Sequence, residues 1–288
     1  MKVAKEQGEV YADVVIIADG ANSLLAERAK LRSKFRLKDM GLGIKEVIKL
    51  PAHEIEQRFQ LSRSEGAAYT FVGDGTQGLM GGCFLYTNKE SLSVGLIVNL
   101  ESLKKAKLHP FTLLDHFEKH PAVAPLLSGG TLKEYSAHLI PEGGYDMIQL
   151  YSNGILLVGD AAGLTMNRGL ILRGMDFAIA SGIAAAKTVK KAKESHDFSE
   201  NSLSFYKQLL EQSFVLQDLK RFRHLSRLLQ SERIYKEYPV WFCRTARSLF
   251  TVDANPSEGA FKVLSREKPQ NLNYMKIASD ILRGVKNL

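Results

Sequence analysis

Two short apolar runs stand out along this chain: Val14 to Ile17 within VVIIADGANS, and Ile155 to Val158 within ILLVGDAAG. Each is consecutively rather than alternately apolar, as in strands buried on both faces of a parallel sheet. Each stops at a small-residue turn carrying one aspartate, Asp19 or Asp160. Between them the pattern changes. Leu42–Leu50 and Ala67–Leu100 read as strands with glycine punctuation, the second resolving into antiparallel strands at Ala68–Val72, Gly82–Tyr86 and Leu92–Val98, with a turn at Asn88–Ser91. The opening predicts a hairpin, with a turn at Glu6-Gln7-Gly8-Glu9 and a strand over Ala12–Ala18.

Helical spacing begins at Pro110–Leu127, where Phe111, Leu114 and Phe117 recur every third position. A strand at Glu134–Leu139 and the turn Pro141-Glu142-Gly143-Gly144 lead back to the second apolar run. A helix rich in small residues is predicted from about Arg173 to Lys193, and Ser199–Leu288 is mostly helical, broken at Pro239, Pro256 and Pro269. The order describes an α/β nucleotide domain, interrupted by an antiparallel domain, resumed at Gly154 and closed by helices.

Composition adds little to this picture, and charge adds more. Hydrophobic residues make up 45% and charged residues 24%, as in ordinary globular proteins. No signal peptide or run of apolar residues long enough to span a bilayer is expected. The net charge of +8 is uneven: Lys187–Arg247 holds 13 Lys/Arg against 7 Asp/Glu. Such a segment is either a solvated helical face or a surface for anionic lipid or an acidic protein; no nucleic-acid partner is expected. The only cysteines, Cys83 and Cys243, form no C-x-x-C pair, consistent with a reduced, cytoplasmic setting. Two thiolates also fall short of an iron–sulfur cluster's four, so any cluster belongs on another chain. No metal site is expected.

The chemistry concentrates at the two turns. In VGDAAG, Gly159 permits close approach of a ligand, Asp160 can accept from a ribityl or ribose hydroxyl, and Ala161, Ala162 and Gly163 leave room beside exposed amides. The helix that follows would bring its positive N-terminus toward the same ligand. In IIADGANS, Ala18 ends the strand, Asp19-Gly20 forms the turn, and Asn22 and Ser23 offer caps to a helix starting at Leu24. Either motif alone is equally a structural strand-to-helix turn; their order along one chain points to a flavin-type dinucleotide site. A third candidate, Gly73-Asp74-Gly75-Thr76-Gln77-Gly78, matches G-x-G-x-x-G, but a glycine-rich β-like segment follows it instead of a helix. It reads as a hairpin turn.

VIIADGANS, GLMGGCFLYTNKESLSVGLIV, HPAVAPLLSGG, YSAHLIPEGG, VGDAAG, RGMDFAIASG and YKQLLEQSFVLQDLK occur in this order. Together they make the chain resemble the Fix-type electron-transfer flavoprotein:quinone oxidoreductases, within the geranylgeranyl-reductase-like FAD-dependent oxidoreductases. The resemblance implies an α/β (α+β) fold: an incomplete FAD/NAD(P)-binding Rossmann-like domain, an inserted antiparallel β-sheet substrate domain and a helical C-terminal region. The expected spans are 1–30 and 146–195 for the FAD-binding parts, 31–145 for the substrate or quinone domain, and 196–288 for the helices.

The resemblance further implies FAD as cofactor, with electrons passing from an electron-transfer flavoprotein toward quinone, and a ferredoxin-like iron–sulfur protein as partner. Peripheral contact with the cytoplasmic face of the inner membrane is a further expectation. By position, Ala18, Asp19, Gly20, Gly159, Asp160, Ala162 and Gly163 match the family's FAD contacts, while Asn167 and Gly169 fall where the flavin-facing helix begins. No catalytic residue is assigned, because the flavin carries the redox chemistry. Family members open with a βαβ unit holding G-x-G-x-x-G, and this chain starts after it; the polypeptide alone is therefore expected to bind FAD weakly or not at all. The rival readings are a geranylgeranyl-reductase-like flavin enzyme and a non-catalytic truncated remnant with a basic membrane- or partner-binding tail.

Four further features remain open between structure and function. His138 and Glu142 either act on the quinone or flavin side or satisfy a turn. Arg173 and Asp176 read as an ion pair or a catalytic pair. Gly174, Ala178, Ser181 and Ala185 form a small stripe suited to close helix–sheet packing. Trp241, Phe242 and Phe250, near Arg244 and Arg247, belong to the core or to a membrane or quinone-access surface.

Overall fold

The computed structural model describes residues 2–4, 8–9, 11–32, 35–169 and 171–287. In chain order, β1 (Lys2–Ala4), β2 (Gly8–Glu9), β3 (Val15–Ile17), α1 (Leu24–Arg28) and β4 (Met40–Lys49) come first. They are followed by α2 (Ala52–Phe59), β5 (Ala68–Phe71), β6 (Gly81–Thr87), β7 (Ser91–Asn99), α3 (Leu100–Ala106), α4 (Pro110–Glu118), α5 (Ala124–Leu127) and β8 (Thr131–Pro141). Next come β9 (Tyr151–Ser152), β10 (Ile155–Leu157), β11 (Met166–Asn167), β12 (Leu172–Arg173) and the long α6 (Met175–Glu194). The remainder is helical: α7 (Glu200–Leu203), α8 (Phe205–Gln212), α9 (Phe214–Arg221), α10 (Leu225–Leu228), α11 (Arg233–Lys236), α12 (Tyr238–Phe250), α13 (Ala260–Glu267) and α14 (Tyr274–Asn287).

Two compact units result: Met1–Asp39 with Ile140–Ser226, and Met40–Leu139 with Arg227–Leu288. In the first, β3, β10 and β9 form a three-stranded sheet in that order, with β3–β10 parallel and β10–β9 antiparallel. Its core joins Ile17, Leu156, Leu157 and Phe177 to Leu203, Tyr206, Leu210 and Leu219. That shared burial explains the one large difference from the expected spans. The helices are not a separate region, because α7–α9 close the core of the first unit while α11–α14 fall in the second. Tyr206, fully buried, donates its hydroxyl to the Leu157 carbonyl at 2.8 Å. A buried hydroxyl needs such a partner, and this one ties α8 to the strand that carries the VGDAAG turn.

The second unit is built on a five-stranded sheet in the order β5-β6-β7-β4-β8. β4 and β7 pair antiparallel without interruption from Gly41↔Asn99 to Lys49↔Ser91. Leu85, Leu92, Val94, Leu96 and Val98 are fully buried, with Leu113, Leu114 and Phe117 of α4 in the same core. Asn99 caps α3 by accepting from the N–H groups of Glu101 and Ser102 at 3.1 and 3.2 Å.

Several expectations are corrected here. The helix expected over 110–127 is two helices, α4 and α5, since Pro121 cannot continue α4 beyond the turn at its end. Phe111 is exposed; the buried row is Leu113, Leu114 and Phe117. The first strand is Val15–Ile17 rather than Ala12–Ala18. In the opening hairpin Gly8 and Glu9 are strand residues, while Glu6 and Gln7 lie outside the described residues. Pro239 sits in the first turn of α12, where a missing N–H costs nothing, so it starts a helix rather than breaking one. The Gly73–Gly78 segment is a 3-10 turn between the antiparallel β5 and β6, with Gly78 N–H returned to Gly73 C=O at 2.9 Å. No helix among the described residues is long and apolar enough to cross a membrane.

Candidate functional site

The two aspartate-tipped strands meet. Val15, Ile16 and Ile17 lie in register with Ile155, Leu156 and Leu157, and Val158 N–H extends the ladder to Ile17 C=O at 3.0 Å. Parallel strands in register end on one edge of a sheet, so the Asp19 and Asp160 turns emerge side by side. Each strand passes into one 3-10 turn, Gly20–Asn22 after β3 and Gly159–Ala162 after β10. The turns are joined by Ser23, fully buried and in the left-handed region, whose hydroxyl donates to Ala161 C=O at 3.4 Å.

Asp19 caps α1: its Oδ2 accepts from Leu25 N–H at 3.0 Å. The expected caps, Asn22 and Ser23, do not fill that role; Ser23 turns instead to the neighbouring loop, where burial demands a partner for its hydroxyl. Asp19 remains exposed. Gly20 has φ +70°, and a Cβ there would meet nothing within 4 Å, so the backbone at this tip faces open space.

The second tip is tighter. Gly159 has φ +56°, and a Cβ on it would come within 3.1 Å of Ala178 Cβ. Its N–H donates to Ser181 Oγ at 3.0 Å, and the Ser181 hydroxyl in turn donates to Ala178 C=O at 2.9 Å. The stripe of Gly174, Ala178, Ser181 and Ala185 thus lets α6 lie directly against the turn. A Cβ on Gly174, the residue before α6, would lie 3.7 Å from Asp160 Oδ1; the carboxylate therefore sits at the start of a 20-residue helix, where the helix dipole favours negative charge.

Of the residues singled out from sequence, Ala18, Asp19 and Gly20 occupy the first tip, and Asp160 is half-buried at the second. Gly159, Ala161, Ala162 and Gly163 are buried. Ala161 and Ala162 belong to the apolar core, and their carbonyls already accept from Ser23 and Gln149. Their methyl groups pack in the core of the first unit.

Asn167 and Gly169 do not lie at the start of the helix. They belong to a hairpin ahead of it, in which Met166 and Asn167 pair with Arg173 and Leu172. Asn167 Oδ1 accepts from Gly169 N–H at 2.8 Å, and Gly169 takes φ +89° to make the turn. The Asn167 amide donates to Glu142 Oε1 at 3.0 Å, while Glu142 N–H donates to Asp39 C=O at 2.7 Å. Thr165 gives its hydroxyl to Pro141 C=O. The Pro-Glu-Gly-Gly turn is thereby fastened to the loop leaving the second tip. Burial pushes the Glu142 carboxyl up to about 7, and only the Asn167 amide pulls the other way. A raised carboxyl favours folding fully at acid pH and loses that contribution as pH climbs from the ordinary glutamate range through 7.

Arg173 and Asp176 form the expected ion pair, with Nε and Nη2 at 2.9 and 2.5 Å from Oδ2. Sequence reasoning missed the third member, Asp218, at 2.6 Å from Nη1. No local pattern marks a partner 45 positions away. The guanidinium also lies 4.7 Å from the Phe177 ring centroid. Held by two carboxylates and lying over the Phe177 ring, it acts as a packing clamp. His138 is exposed on β8. One cavity in this unit, of about 280 Å³, is lined by Tyr145, Gln149, Tyr151, Glu200, Lys207 and Leu216, not by the strand tips.

Comparison with known proteins gives three kinds of match. Residues 40–140 match the family described as ETF-QO, ubiquinone-binding. The protein FixC of Escherichia coli K12 is 45% identical over 277 residues, 96% of this chain and 64% of FixC. The probable electron transfer flavoprotein-quinone oxidoreductase YdiS of the same organism is 42% identical over 95% of this chain and 64% of its own length. FixC of Bradyrhizobium diazoefficiens is 38% identical over 97% and 63%. The chain therefore spans a little under two thirds of the curated relatives it matches. Among solved structures, a geranylgeranyl bacteriochlorophyll reductase-like protein of Thermoplasma acidophilum aligns with TM-score 0.59 and 21% identity, covering 90% of this chain and 60% of the other. The flavin-dependent brominase Bmp2 aligns with TM-score 0.52 and 13% identity over 75% and 51%. These last two establish a shared fold.

Proposed function

We propose that this chain belongs with the Fix-type electron-transfer flavoprotein:quinone oxidoreductases, and that its paired strand tips form one side of an FAD site in an electron-transferring oxidoreductase. The observation that carries the reading is the parallel, in-register pairing of β3 with β10, which brings the Asp19 and Asp160 turns out on one edge of the sheet. The residues fit the cofactor. Gly20 opens onto free space, Gly159 admits close approach to α6, and Asp160 stands where a hydroxyl-rich chain can be hydrogen-bonded. Bound FAD would supply the redox chemistry; the chain's part is to bind, orient and tune it. Electron-transfer flavoprotein as donor, quinone as acceptor and a ferredoxin-like iron–sulfur partner complete the proposed assignment. Asn167 and Gly169 are proposed to bound the site through the hairpin ahead of α6.

Equilibrium dialysis against FAD tests the proposal. Saturable binding is expected, weaker than about micromolar, with Asp19→Ala/Asp160→Ala losing at least tenfold, about 1.4 kcal/mol. Equal binding by the parent and the double variant would reject the site. Reduction of the bound flavin by reduced electron-transfer flavoprotein, monitored by loss of its visible absorption, separates this reading from a prenyl-reducing enzyme fed by another donor.

A second observation favours peripheral membrane contact. Phe242 and Phe250 are 75% and 85% exposed on α12, and Val252 just beyond is 96% exposed. Arg244 and Arg247 are exposed on the same helix. Aromatic side chains among arginines suit the boundary of an anionic bilayer. Flotation with phosphatidylglycerol vesicles should recover the chain at low salt, and Phe242→Ser/Phe250→Ser should cut recovery several-fold. Unchanged flotation of the double variant would remove the surface from consideration.

A further inference from the structure

The segment leaving the first strand tip is strongly basic. Residues 28–38 include Arg28, Lys30, Arg32, Lys34, Arg36 and Lys38, with no Asp or Glu between them. Arg28 and Lys30 are exposed, and Arg36 is taken by Asp39 at 2.5 Å. Arg32 differs from these. Its Nε, Nη1 and Nη2 are buried without a hydrogen-bond partner among the described residues. The Phe35 ring covers one face of the guanidinium, with Cζ 3.3 Å from the ring centroid. An arginine stays charged in a protein, and its fork of donors demands acceptors once water is gone. A buried, unpaired guanidinium therefore destabilises the fold, and stacking on one ring offsets that only in part.

We propose that Arg32 binds a phosphate group, and that this phosphate belongs to the FAD placed at the paired strand tips.

The second half of that statement rests on the FAD reading above; the first half does not. Burial lowers the guanidinium pKa, and the charges of Glu27 and Asp19 oppose it. Neither carboxylate is hydrogen-bonded to it, and Asp19 Oδ2 accepts from Leu25 N–H instead. A phosphate would displace no hydrogen bond that the protein makes there. Its oxygens outnumber those of a carboxylate and suit a fork with donors on all three nitrogens. The other cations of residues 28–38 draw anions toward the same segment. The position agrees with the cofactor. Asp19 caps one end of α1, which is five residues long, so the far end lies about 8 Å away. There Lys30 takes φ +56° and Leu31 N–H returns to Ala26 C=O at 3.0 Å. The chain thus folds back on α1, and Leu31 packs against the first core. Arg32 follows directly, one short helix from the tip at which Gly20 opens onto free space.

Arg32→Met keeps an unbranched chain over Phe35 and removes the charge. Titration calorimetry with inorganic pyrophosphate, FAD and riboflavin separates the possibilities, since riboflavin has the flavin ring and ribityl chain without phosphate. The variant should lose pyrophosphate and FAD affinity by roughly tenfold or more, with riboflavin changed by less than about twofold. Pyrophosphate bound equally by parent and variant, or by neither, would overturn the phosphate site. Loss of pyrophosphate with FAD bound equally by both would overturn the cofactor as its source. If the parent alone binds pyrophosphate and neither binds FAD, the strand-tip reading fails while the phosphate site stands. Without ligand, the variant should melt roughly 2–4 °C above the parent, because an unpaired buried charge is gone. A variant that melts lower, or does not fold, would show that the guanidinium serves the fold, and the assignment would fall.

Discussion

Gly159→Val should destabilise the first unit by about 2–4 kcal/mol and abolish FAD binding. The backbone at Gly159 takes φ +56°, a region costing a non-glycine residue about 1–2 kcal/mol. The added Cβ would press on Ala178 Cβ at 3.1 Å, in a turn held to α6 by the Gly159–Ser181 hydrogen bond. Urea unfolding measures the first effect and dialysis against FAD the second. A variant as stable as the parent would mean that α6 does not lie on this turn. Gly182→Ala, on the same helix but with nothing within 4 Å of its Cβ, is the control. It should stabilise by about 0.5–1 kcal/mol through helix propensity.

Phe177→Ala should cost about 3–5 kcal/mol. The ring is fully buried in the first core, 5.9 Å from the Phe214 ring and beneath the Arg173 guanidinium. Its loss opens a cavity and removes the surface on which Arg173 lies while holding Asp176 and Asp218. Ile179→Ala, two residues on but 66% exposed, should change stability by no more than about 0.5 kcal/mol. Denaturant midpoints for the pair decide the matter. Similar losses for both would show that α6 buries a different face.

The membrane prediction draws on side chains that break a local rule. Phe242 and Phe250 are aromatic yet exposed. Both departures are visible in sequence only once the faces of the elements are known. A periodic pattern says that a strand or helix has two faces, and neighbours from distant segments decide which one is covered. Phe111 illustrates this: it falls in register with Leu114 and Phe117 but is 58% exposed, because the core takes Leu113 instead.

The strands at 15–17 and 155–157 were legible from residue order, because consecutive aliphatic residues ending in Asp-Gly or Gly-Asp turns have few other solutions. The four long strands of the second unit and the helix at 175–194 were legible for the same local reasons, alternation in the first case and small residues with a charged tail in the second. The motifs also carried the family resemblance, since each is a short run whose spacing survives without any knowledge of contacts. What tertiary structure alone decided are the meetings across the chain: β3 beside β10, Ser181 beneath Gly159, Asn167 on Glu142, and Asp218 on Arg173. Each joins residues more than 20 positions apart. Backbone propensity acts over a few residues, whereas these pairings are chosen by burial of whole faces and by the need of every buried polar group for a partner.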